Sequence, residues 1–145
     1  MTGTPALIDT NVLVYAFNTD SGDKQVVAIE LLAQCWRGEA QFAVSTQNLA
    51  EFSAIVREKV THPSTGDEVR EFLQGILDFR GWILLTYGAD TVIHAHKIKD
   101  EYGLHFWDAL LAATMKQHGI STIYTEDSHF RKIPWVTVVN PFTDR

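Results

Sequence analysis

Five short apolar runs, separated by stretches of helical periodicity, restrict this chain to a small set of architectures. The runs cover residues 6–8, 42–44, 82–85, 122–124 and 136–139 and consist largely of β-branched, aliphatic and aromatic side chains. They lack the alternation of a strand with one face in water, so both faces must be covered. Between them apolar residues recur at three- to four-residue spacing. One such stripe is Val26, Ile29, Leu31 and Leu32; a second is Leu49, Phe52, Ile55 and Val56, preceded by Ser45 and Thr46 as candidate caps; a third is Val69, Phe72, Leu73, Ile76 and Leu77. Residues 106–115 are apolar on nearly every side, with Asp108 as the one formal charge, which predicts a helix packed inside the fold. Strands alternating with helices predict an α/β fold of doubly wound type, a mainly parallel sheet with helices on both faces.

The length of 145 residues and a hydrophobic content of 46% suit a single domain over residues 1–145 with a core that needs no disulfide. No repeat or low-complexity linker divides the chain. Pro63 interrupts the helical stretch between residues 46 and 79, with Ser64 as the expected cap of the next helix. Cys35, the one cysteine, falls in a helical stretch and reads as a core thiol, and its solitude favours a reducing compartment. Without a leader pattern or an apolar run near the ~20 residues that span a bilayer, the expectation is a cytoplasmic protein with no membrane partner. A net charge of -6 excludes a globally basic nucleic-acid binder, so any contact with RNA must use a local basic surface, metal ions or both.

In open parallel sheets ligands bind beyond the carboxyl ends of the strands, so acids that follow strands come first. Asp9 follows the first run, Asp127 follows the fourth, and Glu51 lies one to two turns into the helix after the second. Asp108 sits near the start of the buried helix, where unpaired N–H groups favour a negative side chain. Each has an ordinary reading: Asp9 as a helix cap, Glu51 as a solvated helix residue, Asp127 as a turn former, Asp108 as a helix-start acid. Brought together, however, four carboxylates repel one another unless a cation neutralises them. Oxygen donors without cysteine or paired histidine suit Mg2+ or Mn2+ rather than zinc. Thr10, Asn11 and Thr125 add side chains able to hydrogen-bond the acids. His94 and His96, two apart, face different ways on a helix, and His105 reads as a helix-start residue.

Four blocks in order, Leu7-Ile8-Asp9-Thr10-Asn11-Val12-Leu13, Asn48-Leu49-Ala50-Glu51-Phe52, Phe106-Trp107-Asp108-Ala109-Leu110 and Thr125-Glu126-Asp127, resemble a PIN domain. A single block is weak; the four together cover almost the whole chain. As a stand-alone domain the chain is similar to VapC toxins of toxin-antitoxin pairs. The resemblance implies a three-layer α/β/α sandwich around a parallel sheet of about five strands in the order 3-2-1-4-5, which sets Asp9 and Asp127 at the switch point. It implies a metal-dependent endoribonuclease with Asp9, Glu51, Asp108 and Asp127 as catalytic acids, Asp9, Asp108 and Asp127 as metal ligands, Asn11 and Thr125 as supporting polar residues, and Mg2+ or Mn2+ as cofactor. Glu126, beside the motif acid, is not expected to be a ligand. His105 and Trp107 depart from the commonest pattern around the third acid.

The partners implied are an RNA substrate, a cognate antitoxin and a second copy of the chain in a homodimer. Arg131 and Lys132, just beyond Asp127, are the first candidates for RNA contact, ahead of Arg57 with Lys59 and Lys97 with Lys99. Trp36, Phe79 and Trp82 suit either protein contacts or the core. The alternatives are a PIN nuclease of RNA processing outside toxin-antitoxin systems, a non-catalytic RNA-binding module, and an aspartyl phosphatase. The last wants a second Asp two residues after Asp9 for proton transfer, and that position is Asn11.

Overall fold

Every strand pairing in the sheet is parallel, and β1 lies at its centre. The computed structural model describes residues 4–144 and runs β1 (Ala6–Ile8), α1 (Thr10–Phe17), α2 (Asp23–Trp36), β2 (Phe42–Ser45), α3 (Thr46–Glu58), α4 (Gly66–Asp78), β3 (Trp82–Leu85), α5 (Ala89–Tyr102), α6 (Phe106–Gln117), β4 (Thr122–Tyr124) and β5 (Thr137–Val139), with a 3-10 turn at Ser128–Lys132 between the last two strands. The strand order is β3-β2-β1-β4-β5, as the resemblance implies. Leu7 pairs with Ala43 on one side and Ile123 on the other.

The twofold alternation of strand side chains divides the core. Ala6 and Ile8 of β1, with Phe42 and Val44 of β2, pack against α1, α2, α3 and α4; Leu7, Ala43, Leu85 and Ile123 pack against α5 and α6. Both faces are covered, hence the nearly unbroken apolar strand runs. The interior helix is α6, whose residues from Ala109 to Met115 are all buried.

Two details differ from the sequence expectation. On α2 the buried residues are Ala28, Leu31, Leu32 and Cys35, spaced i, i+3, i+4, i+7, whereas Val26 and Ile29 are 69% and 50% exposed. Those two lie on the adjacent helix face, and Ala28, too small to stand out in a hydropathy pattern, marks the true one. Helix α4 is capped by Thr65 rather than Ser64: the Thr65 side chain accepts from the Glu68 N–H, and Glu68 reaches back to the Thr65 N–H. Ser45 caps α3 in the same way with Asn48. Gly103, at φ 66°, ends α5 in the left-handed conformation and lets α6 begin three residues later. Among the described residues no helix is long and apolar enough to cross a membrane.

Phe52 has no exposed surface and packs its ring 5.3 Å from Phe17 and 5.2 Å from Phe72. Phe52→Ala is expected to destabilise by about 3–5 kcal/mol, while Val26→Ala on the exposed face of α2 changes stability by less than about 0.5 kcal/mol. Urea denaturation of the two variants checks both values.

Candidate active site

Chain direction alone sends the first acid into the interior. Asp9 follows β1, and its N–H donates to the Tyr124 carbonyl (3.1 Å), which ties the end of β1 to β4. The side chain is only 8% exposed. Its Oδ1 accepts from the Thr10 N–H (2.8 Å) and Asn48 Nδ2 (3.3 Å), and its Oδ2 from Thr125 Oγ1 (2.8 Å) and Asn11 Nδ2 (3.4 Å). Thr125 itself accepts from Asn11 Nδ2 (2.9 Å) and from the Asp127 N–H (3.0 Å), so one hydroxyl connects Asp9, Asn11 and the Asp127 turn. Glu51 is held on α3 by Thr10 Oγ1, which donates to Oε1 (2.8 Å), and by Gln47 Nε2 at 3.4 Å from Oε2.

The other two acids meet nearby. Asp108 lies in the first turn of α6, whose N-cap residue His105 makes no side-chain cap bond, so the N–H groups of that turn favour the negative charge. Asp127 caps the 3-10 turn by accepting from the His129 N–H (2.8 Å). The His129 ring folds back, placing Nδ1 3.0 Å from Asp127 Oδ1 and 3.7 Å from Asp108 Oδ2. One ligand atom from each of Asp108, Asp127 and His129 lies within 4.8 Å of the others; Asp9 is outside that tight group. Asp9 instead shares an open cleft of about 410 Å3 with Thr10, Asn11, Glu51, Lys59 and Asp108, so Asp108 borders both halves of the site.

The sequence-predicted acids therefore converge on one edge of the sheet. The expected supporting residues, Asn11 and Thr125, touch Asp9 directly. Glu126 is engaged by Tyr15 and by Lys24 at 2.8 Å. Three contributors were not singled out from sequence. His129 could have been found by its place two residues after Asp127, within one tight turn. Asn48, fully buried, was signalled by its spacing of three from Ser45, and it carries the α3 cap across to Asp9. Gln47 bridges Glu51 to the Trp107 carbonyl (2.9 Å) on α6, and its buried Oε1 has no partner among the described residues. Of the basic candidates, Lys59 lines the cleft. Arg131 is instead paired with Asp144 at 3.2 Å, because the chain after β5 folds back beside it.

Burial pushes the Asp9 carboxyl up to about 6; hydrogen bonds from Thr125 and Thr10 oppose the rise, and the charges of Glu51 and Asp108 add to it. Asp108 is likewise raised by burial and then by Asp127, with His129 and His105 working the other way. A carboxyl held above its unfolded value of 3.8 leaves stability unaffected below that pH, where both states are protonated. It removes stability between 3.8 and about 6, as the unfolded chain ionises first, and the deficit persists above. For Asp9 the deficit is roughly 3 kcal/mol. A cation held there would relieve it, and a donor set of carboxylate oxygens with one imidazole fits a divalent ion. Metal-free wild type is therefore expected to lose up to about 3 kcal/mol of stability relative to Asp9→Asn as pH rises from about 4 to about 7.5, whatever the constant offset from the two donors that face the Asn amide, and added Mg2+ to reduce that pH-dependent loss. Urea denaturation across that pH range, with and without metal, measures it.

The family profile described as PIN domain matches residues 6–136. Ribonuclease VapC24 of Mycobacterium tuberculosis (strain H37Rv) is 30% identical over 142 residues, covering 94% of this chain and 88% of the relative. Among solved structures, the fold is similar to that of Mycobacterium tuberculosis VapC20, a sarcin-ricin loop cleaving toxin (TM-score 0.67, 19% identity, 90% of this chain and 96% of that one). It is similar also to a chain of VapBC2 from Rickettsia felis bound to a DNA fragment of its promoter (TM-score 0.66, 18% identity, 94% and 98%). With the acids at the carboxyl ends of β1 and β4 and a matching profile over most of its length, the chain belongs to the PIN domain family.

Proposed function

We propose that this protein is a metal-dependent endoribonuclease that hydrolyses RNA phosphodiester bonds, acting as the toxin of a VapBC-type toxin-antitoxin pair in the cytoplasm. The observation that carries the reading is the convergence of Asp9, Glu51, Asp108 and Asp127 on one cleft edge, in a chain 30% identical to a ribonuclease over nearly its full length.

Asp108 and Asp127 with His129, and Asp9 across the cleft, are the residues that would hold Mg2+ or Mn2+. Such an ion, when bound, activates water and offsets charge on the scissile phosphate. The chain's own groups do the rest. Thr125, Asn11 and Asn48 fix the Asp9 carboxylate so that it cannot rotate away from the cleft. Glu51, braced by Thr10 and Gln47, orients the attacking water and takes up its proton. Cleavage leaves a 5'-phosphate and a 3'-hydroxyl. Single-stranded loops are the substrates that fit, because their backbone can enter a cleft that excludes a duplex. Lys59 on the rim meets the incoming phosphates. The likeness to a toxin-antitoxin complex structure supports an antitoxin partner and a homodimer.

Purified protein incubated with total cellular RNA is expected to give discrete cuts with Mg2+ or Mn2+ and none with EDTA. Asp9→Asn and Asp108→Asn should each reduce the rate by about 100-fold or more. Primer extension and end labelling of the fragments read both. Cutting that persists in both variants, or in EDTA, overturns the assignment.

A further inference from the structure

Next to the acids lies a second concavity with the opposite charge. It has a volume of about 310 Å3 and is lined by Lys99, Gly103, Leu104, His105, His129 and Lys132, contributed by the end of α5, the α5–α6 turn and the 3-10 turn after Asp127. In a chain of net charge -6, two ammonium groups and two imidazoles surround one depression and no carboxylate lines it. Among the described residues neither lysine has a carboxylate within 4.0 Å. The Lys132 head is kept at the wall by donating to the Gly103 carbonyl (3.3 Å), which leaves two of its three protons for a ligand. The His105 and His129 rings stand edge to face, centroids 6.1 Å apart.

We propose that this pocket is a phosphate subsite that holds the RNA backbone phosphate next to the one being cleaved. His129 joins the two regions: one ring nitrogen faces Asp127 and Asp108, and the same side chain lines the basic pocket. A polynucleotide with one phosphate at the acids must carry its neighbours along the adjoining surface, and on this side that surface is cationic. The pocket thus supplies what the acidic cleft lacks, an electrostatic hold on substrate that does not depend on bound metal. Two lysines and two imidazoles around one depression suit a phosphodiester anion, met as charge rather than read by sequence.

This inference rests on the nuclease reading, and the two can fail separately. A short fluorescein-labelled single-stranded RNA is titrated in EDTA at several salt concentrations with wild type, with Lys99→Ala/Lys132→Ala, and with the distant control Arg37→Ala/Arg70→Ala. The lysine pair is expected to flatten the slope of log affinity against log salt by about 0.7, the value for one lost phosphate contact on a single strand, and the arginine pair to leave it alone. A wild-type slope in the lysine variant overturns the subsite, and wild-type cleavage of RNA in the same preparation would show the nuclease reading intact. If wild type cuts no RNA with any metal but the slope still flattens, the nuclease reading falls and the phosphate site stands. If the lysine pair keeps the RNA slope and weakens capture of a co-expressed antitoxin instead, the pocket serves an acidic protein segment and the proposal is wrong.

Discussion

The buried carboxylate of Asp9 is the constraint around which the rest is arranged. A charged group placed at the end of a central parallel strand would be costly unless it were surrounded by donors. Here the donors come from three places: the first turn of α1, through the Thr10 N–H and the Asn11 side chain, Asn48 at the head of α3 and Thr125 beyond β4. Satisfying one side chain thus fixes how the carboxyl ends of β1, β2 and β4 sit relative to one another. Even so the burial is incompletely offset, and the carboxyl is raised to about 6. The residual instability belongs to the site itself, and a cation held among the acids would offset it.

Structural roles and the proposed chemical ones coincide at two of the acids. Asp9 caps α1, and Asp127 caps the 3-10 turn. A capping aspartate has its carboxylate held by backbone N–H groups at a helix start, at the sheet edge where parallel topology opens a ligand cleft. The cap reading of Asp9 and the turn reading of Asp127 therefore did not compete with a chemical one, whereas Glu51, read as a solvated helix residue, is instead half-buried and held by Thr10 and Gln47. Asp108 is held in the first turn of a helix that is buried almost throughout, which keeps it from swinging out to solvent.

Charge is distributed to the same end. The net negative charge says nothing of where the cations stand. Lys59 borders the acidic cleft, and Lys99 and Lys132 border the depression that His129 joins to the acids. Arg131, adjacent in sequence to Lys132, is neutralised by Asp144. Proximity along the chain was a poor guide here because neighbouring residues in a tight turn point in different directions.

What the sequence determined by itself was the layer architecture and the identity of the acids. Apolar runs too continuous for a one-sided sheet require helices on both faces, and acids placed directly after β1 and β4 must emerge at the carboxyl edge, because both consequences follow from local spacing and chain direction. The strand order came from resemblance across four blocks rather than from periodicity, which does not encode which strand lies beside which. Tertiary structure alone decided that Ala28 rather than Val26 marks the buried face of α2, that Asn48 reaches Asp9, that His129 folds back onto Asp127 and Asp108, and that Lys99 and Lys132 share one pocket. Asn48 and Asp9 are 39 residues apart and Thr125 and Asp9 are 116; no local pattern carries such a contact, because it exists only once the parallel crossovers have brought the strand ends to one edge.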